Sequence, residues 1–325
     1  MALALPTLDG LAAEVDAALT ALDLPAKPTG LYDPVRYVLA GGGKRIRPAL
    51  VLLAAEAFGG DGARAAALPA ALGVEVFHNF TLVHDDIMDG SPTRRGRETV
   101  HERWDVPTAI LAGDLMMGLA ARLVVGTGPR AGALAEAHYR TVARLCEGQS
   151  LDMGFETRDD VTVEAYLHMI DGKTGALLEH ALEVGGLLGG ADDHALGALR
   201  TAGRSFGRAF QIQDDLLDVT GGPGWGKPVG ADLTTGKRAF PVLAARDRAE
   251  AEDEPWLAAV FAGGLPPDRV DHVRERLDAL GVLAEASERV HQYTGDGRRA
   301  LADLPATPAA HALRDLALGL ATRSL

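Results

Sequence analysis

Asp85, Asp86 and Asp89 and, about 130 residues later, Asp214, Asp215 and Asp218 write the same DDxxD spacing twice, following the apolar runs Phe80-Thr81-Leu82-Val83 and Phe210-Gln211-Ile212. On a helix, positions i and i+4 lie one turn apart on the same face with i+1 beside them, so each run gathers three carboxylates within an arc of roughly 100°. Like charges held so closely repel unless a cation sits among them. Carboxylate oxygens suit hard divalent ions, and Mg2+ is usually held by one or two carboxylates while phosphates and water complete its octahedron. Asp-Asp also occurs at 159/160 and 192/193, in polar, turn-like surroundings and without the third Asp. The alternative for the two complete copies is a solvated acidic face.

Cations stand at intervals suited to the same chemistry. In Gly41-Gly42-Gly43-Lys44-Arg45-Ile46-Arg47-Pro48, three glycines and three cations precede an apolar helix. Glycines allow close backbone approach to an anion, a helix N-terminus adds partial positive charge, and Lys44 and Arg47 can reach phosphate oxygens. The GxxxxGK[ST] spacing of a Walker loop is absent. Arg94-Arg95-Gly96-Arg97 follows the first aspartate run, and Lys173-Thr174 interrupts a stretch rich in Leu, Ala and Gly. Each of these taken singly reads equally as a turn or a surface lysine. Taken with six aspartates, they describe a pocket for Mg2+ and more than one phosphate-bearing group.

Helices must position these residues. Hydrophobic residues make up 47% and aromatics 5% of the 325 residues, and long apolar runs recur at helical period, broken by Gly and Pro. The spacing predicts helices over 8–24, 31–40, 44–58, 63–89, 107–125, 131–153, 163–189, 194–219, 239–250, 267–289 and 307–321, forming one all-α domain over 1–325. Gly59-Gly60-Asp61-Gly62, Gly126-Thr127-Gly128-Pro129 and Gly189-Gly190 read as stops and turns. The longest irregular segment, Gly221 to Gly236 with Trp225 and Lys227, follows the second aspartate run and reads as a covering loop.

The net charge of −13 argues against a nucleic-acid partner. The opening Met-Ala-Leu-Ala-Leu-Pro lacks the basic and apolar regions of a secretory signal. No stretch approaches the ~18 apolar residues needed to span a membrane. A single cysteine, Cys146, permits no intrachain disulfide, suits a cytoplasmic protein and is expected in the core.

The ordered motifs resemble the trans-type prenyl diphosphate synthases, or polyprenyl synthetases. The resemblance runs through Gly42 to Pro48; Glu75 to Asp89; Arg94-Arg95-Gly96; Gly148-Gln149 with Asp152; Lys173-Thr174; Phe210-Gln211 with Asp214, Asp215 and Asp218; and Gly226-Lys227, Gly230, Asp232 and Gly236-Lys237. It implies a helical bundle around a central cavity, commonly a homodimer, that condenses isopentenyl diphosphate with an allylic diphosphate. It further implies three Mg2+ ions bridging the allylic diphosphate to Asp85, Asp89, Asp214 and Asp218, with Asp86 and Asp215 in support. Arg94, Lys173, Lys227 and Lys237, beside Thr174 and Gln211, would hold that diphosphate. Lys44, Arg47, His78 and Arg95 would hold isopentenyl diphosphate. The stretch from Asp218 to Lys227 is short and glycine-rich for this family, and Ala239 stands where Thr is common.

The growing hydrocarbon would run beside the helix before Asp85, where each turn rises about 5.4 Å, near one isoprene unit. Thr81, Phe80 and Phe77 stand four, five and eight residues before Asp85. Phe80 as floor rests on the resemblance, which points to a geranylgeranyl (C20) product with farnesyl (C15) as the alternative. A terpene cyclase would need no second phosphate pocket, and a non-catalytic subunit would not need the intact aspartates.

Overall fold

The computed structural model describes residues 7–126, 128–221 and 229–322. Its elements are α1 (Leu8–Thr20), α2 (Thr29–Leu39), α3 (Ile46–Met88), β1 (Thr93–Arg94), β2 (Arg97–Glu98), α4 (Val100–Arg103), α5 (Val106–Val125), α6 (Ala131–Phe155), α7 (Val163–Ile170) and a π-helical turn (Asp171–Gly175). There follow α8 (Ala176–Gly189), α9 (Asp193–Thr220), α10 (Ala231–Thr235), α11 (Phe240–Arg246), α12 (Glu254–Phe261), a 3-10 turn (Pro267–Arg269), α13 (Val270–Ala279), α14 (Val282–Ala300) and α15 (Pro308–Thr322). The expected all-α class holds. Among the described residues the one sheet is the β1–β2 hairpin. Local signals fix several helix starts: the side chains of Thr7, Asp105 and Thr162 accept from Gly10, Thr108 and Ala165 N–H, capping α1, α5 and α7.

Packing divides the chain into two compact units: Met1–Arg140 with His180–Arg200 and Asp303–Leu316, and Thr141–Glu179 with Thr201–Ala302 and Ala317–Leu325. In the first, α3 is the buried spine and packs most extensively on α5. A Cβ on Gly73 would lie 2.9 Å from the Ala120 carbonyl, and Cβ atoms on Gly185 and Gly189 would lie 2.4 and 2.6 Å from the carbonyls of Val51 and Ala55. These glycines let α5 and α8 approach the α3 backbone closely. In the second unit, α11 packs against α7, α13 and α14. Arg238, buried just before α11, donates to the carbonyls of Glu156, Arg158, Gly236 and Phe261.

Departures from the expected helices have local causes. The helices expected over 44–58 and 63–89 form one run bent at Gly60, whose φ is 72° and ψ −169°. The span 163–189 carries the π turn in its middle, and 267–289 divides at Gly281, after which α14 continues to Ala300. The hairpin, α4, α10 and α12 are too short to establish a period in the sequence. Cys146 is exposed rather than in the core; it shares a solvent-facing stripe of α6 with Ala143, Glu147 and Ser150. Two helices do satisfy the length and composition of a membrane span, because a hydropathy average tolerates the glycines and few charges that break an unbroken run. They are Ile46–Met88, with 72% of its apolar window buried, and Val106–Val125, with 39% buried. α5 keeps Val106, Ile110, Leu111 and Met117 exposed.

Candidate active site

The last turns of α3 carry the first aspartate run. Asp85 is half-buried and Asp89 exposed, whereas Asp86 is buried and accepts from Arg94 at 2.8 Å (Nε) and 2.7 Å (Nη2). Burial raises the Asp86 pKa against the pull of Arg94. The hairpin aims Arg94: Thr93 pairs with Glu98 and Arg94 with Arg97, leaving Arg95-Gly96 as a two-residue turn with φ of 53° and 73°. Positive φ at both positions matches the twist of a tight hairpin. Asp86, Arg94 and Arg95 line one cavity with Tyr37, Asn79 and Thr99.

The glycine-rich loop ahead of α3 is shaped around two arginines. Arg95 Nη1 donates to the Gly42 carbonyl, and a Cβ on Gly43 would meet that guanidinium at 2.9 Å. Arg45 sits at φ 49° and is buried, donating to Glu75 at 2.5 Å, Asp16 at 2.7 Å and the Leu39 carbonyl at 3.1 Å. Burial opposes its charge, but Glu75 and Asp16 outweigh that and raise its pKa. Arg45 is thus an anchor that fixes its two flanking cations, and Lys44 is exposed.

Arg47 Nη1 lies 3.3 Å from His78 Nε2. Burial first, and then Arg47, Arg95, Arg94 and Arg45, hold the His78 pKa well below its usual value, so the ring is neutral. Arginine only donates, so His78 Nε2 accepts and the ring proton resides on Nδ1. Arg47 Nε and His78 Nδ1 are both buried without a protein partner. Two buried N–H donors of this kind call for a ligand that only accepts, which describes a diphosphate.

In the second unit the centre is Asp215. It accepts from Tyr166 Oη at 2.6 Å, Gln211 Nε2 at 3.0 Å and the Phe240 backbone N–H at 2.9 Å. Burial pushes its pKa up to about 6, although Lys237 and the Tyr166 and Phe240 hydrogen bonds pull the other way. Thr174 Oγ1 donates to Gln211 Oε1 at 3.1 Å, extending the chain to the π turn. That turn carries Lys173, which pairs with Asp152. Gly148 and Gly172 seat it, since a Cβ on Gly148 would lie 2.3 Å from Lys173 N and one on Gly172 2.6 Å from the Arg144 carbonyl. π turns of this type mark functional sites in helices.

Asp214 is half-buried, whereas Asp218 is buried, its Oδ2 accepting the Asp232 N–H at 3.1 Å and its carbonyl the Gly230 N–H at 2.7 Å. Lys237 lies 3.9 Å from Asp232. Desolvation works against its charge, but Asp232, Asp215, Asp152 and Asp214 together hold it protonated above the ordinary lysine range. Asp152, Tyr166, Lys173, Gln211, Asp215 and Lys237 line one cavity. Lys227 and Trp225 lie outside the described residues, and the segment expected to be irregular contains α10.

Asp85 and Asp89, one turn apart and facing solvent, fit Mg2+, which binds a few carboxylates and leaves its remaining positions to phosphate and water. Among the described residues no three acidic, His or Cys side chains form a closed cage. Along the predicted hydrocarbon path, Phe77 and Phe80 are buried and stacked at 5.5 Å, and buried Thr81 donates to the His78 carbonyl at 2.8 Å. Tyr166 and Arg238 were not legible as site residues. Tyr166 lies 49 residues from Asp215, and Arg238 is one arginine among many, though adjacent to Lys237.

Comparison with known proteins points the same way. The polyprenyl synthetase family profile matches residues 28–279. The chain is 44% identical over 289 residues to the geranylgeranyl diphosphate synthase of Methanosarcina mazei, covering 82% of this chain and 89% of that one. It is 38% identical over 321 residues to the geranylfarnesyl diphosphate synthase of Natronomonas pharaonis, covering 92% and 91%. The solved geranylgeranyl pyrophosphate synthetase of Pyrococcus horikoshii superposes with a TM-score of 0.89 at 36% identity, over 97% of each chain. With the fold, the doubled aspartate run and the profile in agreement, this chain belongs to the polyprenyl synthetase family and is a prenyltransferase.

Proposed function

We propose that the chain condenses isopentenyl diphosphate with an allylic diphosphate, giving geranylgeranyl diphosphate as its main product, with farnesyl diphosphate the alternative. The observation that carries this reading is the Arg47–His78 pair, whose two buried unpartnered donors supply a phosphate site separate from the aspartates. A cyclase, which ionises one substrate, has no use for it.

In this reading the allylic C–O bond breaks heterolytically and its electron pair leaves with diphosphate. The double bond of isopentenyl diphosphate then attacks the allylic cation, forming the new C–C bond, and the adduct loses a proton to the departing diphosphate. Asp85, Asp89, Asp214 and Asp218 would hold Mg2+, three ions with diphosphate bound, which supplies positive charge where the leaving oxygens become negative. Asp86 and Asp215 orient their neighbours. Lys173, Lys237, Thr174 and Gln211 would grip the allylic diphosphate, and Arg94 and Lys227 are assigned to it from the sequence. Lys44, Arg47, His78 and Arg95 position isopentenyl diphosphate for attack. Phe80 and Phe77, with Thr81, set the depth available to the tail.

A homodimer belongs to the same reading. Ile110, Leu111 and Met117 of α5 are exposed, as is Tyr139 of α6 at 61%, and an obligate interface would cover apolar side chains of this kind. Light scattering should give twice the chain mass, and Leu111→Glu should reduce it.

Incubation with isopentenyl diphosphate, Mg2+ and each of the C5, C10 and C15 allylic primers, followed by chromatography, tests the function. All three primers should be extended to C20. Products ending at C15 would select the alternative, and no extension of any primer would reject the reading.

A further inference from the structure

Beneath Phe77 the first unit buries two imidazoles that the reaction does not use. His138 of α6 and His180 of α8 are both 0% exposed, with Nδ1 of the first 3.2 Å from Nε2 of the second. His138 Nε2 and His180 Nδ1 are buried without a partner. Whichever ring donates the bond between them, one N–H and one lone pair stay unanswered. Burial lowers the His138 pKa to about 4, and burial with His138 and Arg140 lowers that of His180 to about 3, so both rings are neutral.

The pair ends a ladder of rings that begins beside Asp85. His84 meets Phe80 at 4.8 Å, Phe80 meets Phe77 at 5.5 Å, Phe77 meets His138 at 5.0 Å, and His138 meets His180 at 5.2 Å. Phe77 also lies 6.4 Å from His180, so both imidazoles back the same ring. Gly185 and Gly189 bring α8 against α3. Arg140 and Arg200 clamp Glu183, one turn from His180, at 2.6 and 2.9 Å.

We propose that the His138–His180 pair is the base of the hydrocarbon channel and sets the upper limit of product length by closing the space behind Phe77. A hydrogen bond between two helices ties the rings together, so they yield less readily than two aliphatic side chains. Hydrocarbon pressed against them gains no contact that answers the buried N–H or lone pair. About 12 Å of α3 separates Asp85 from Phe77, and the pair closes the space beyond. This rests on the reading of α3 as the channel wall.

Three proteins test it, each given farnesyl diphosphate, excess isopentenyl diphosphate and Mg2+: Phe77→Ala/Phe80→Ser, the same with His138→Ala, and the same with His138→Phe. With the pair intact, the major product should exceed that of the unaltered enzyme by no more than two isoprene units. Adding His138→Ala should lengthen it by at least one further unit, and the volume-retaining His138→Phe should not. An unchanged major product with His138→Ala overturns the proposal. So does a Phe77→Ala/Phe80→Ser enzyme that elongates more than two units with both histidines present, a result that stands even if the His138→Ala protein fails to fold. Condensation by the unaltered enzyme with either of these outcomes rejects the histidine floor alone. No condensation by it rejects the synthase reading, and the floor with it.

Discussion

Each DDxxD run turns its middle aspartate inward. Asp86 is spent on Arg94, and Asp215 on Tyr166, Gln211 and the Phe240 N–H; Asp218 is buried as well, with Oδ2 on the Asp232 N–H, so Asp85, Asp89 and Asp214 are the positions most open to metal. Asp85→Ala or Asp214→Ala should therefore lower turnover by orders of magnitude, measured by isopentenyl incorporation, while the far-ultraviolet circular dichroism stays helical. Tyr166→Phe removes one donor from a buried carboxylate and should cost about 1–3 kcal/mol of stability in denaturant titration. Arg47→Ala should raise the KM for isopentenyl diphosphate by about tenfold or more, the loss of one charge-assisted contact, and leave that for the allylic primer nearly unchanged. The sequence showed which residues carry charge and repeat at helical spacing. It did not show that Asp215 needs Tyr166 or that His78 is neutral, because those facts depend on side chains brought together from distant positions.

At the scale of elements, the π turn over Asp171–Gly175 is the feature that places Lys173. The sequence read 163–189 as one uninterrupted helix, since the apolar period persists through it, and the only local sign was Gly172 and Gly175 flanking Lys173-Thr174. The seat of the turn is backbone against backbone: a Cβ on Gly148 would meet Lys173 N at 2.3 Å. Gly148→Ala should thus destabilise by about 1–3 kcal/mol, as overpacking does, and lower kcat through the displaced lysine. Thermal melts and steady-state kinetics on one preparation would check both effects. The bend at Gly60 was readable because the glycines cluster there, and the division at Gly281 was missed because a single glycine inside a helical pattern is a weak stop.

Over the whole molecule, charge and burial set the response to pH. His78, His138 and His180 titrate in the fold below their usual 6.5, so as pH falls the unfolded chain takes up protons that the folded chain refuses. Stability declines below about pH 6.5, down to about pH 4 for His138 and about 3 for His180, and by pH 5 each of these two has cost about 2 kcal/mol. Asp215, raised to about 6, acts oppositely, gaining about 1.4 kcal/mol between pH 7 and 5. Asp86 and Glu56, also raised by burial, act in the same sense as Asp215, but the three imidazoles outweigh the carboxyls, so the melting temperature should fall between pH 7 and 5; a flat or rising profile would contradict their burial as neutral rings. The all-α class and the paired aspartates were legible because helical period and charge spacing are local properties, whereas the grouping of helices into units was not. The most direct test of the central claim is incorporation of labelled isopentenyl diphosphate with farnesyl diphosphate as primer, with and without chelation of Mg2+. The account predicts a C20 diphosphate that requires primer and Mg2+ and is nearly lost in Asp85→Ala; no product, or the same product under chelation, would contradict it.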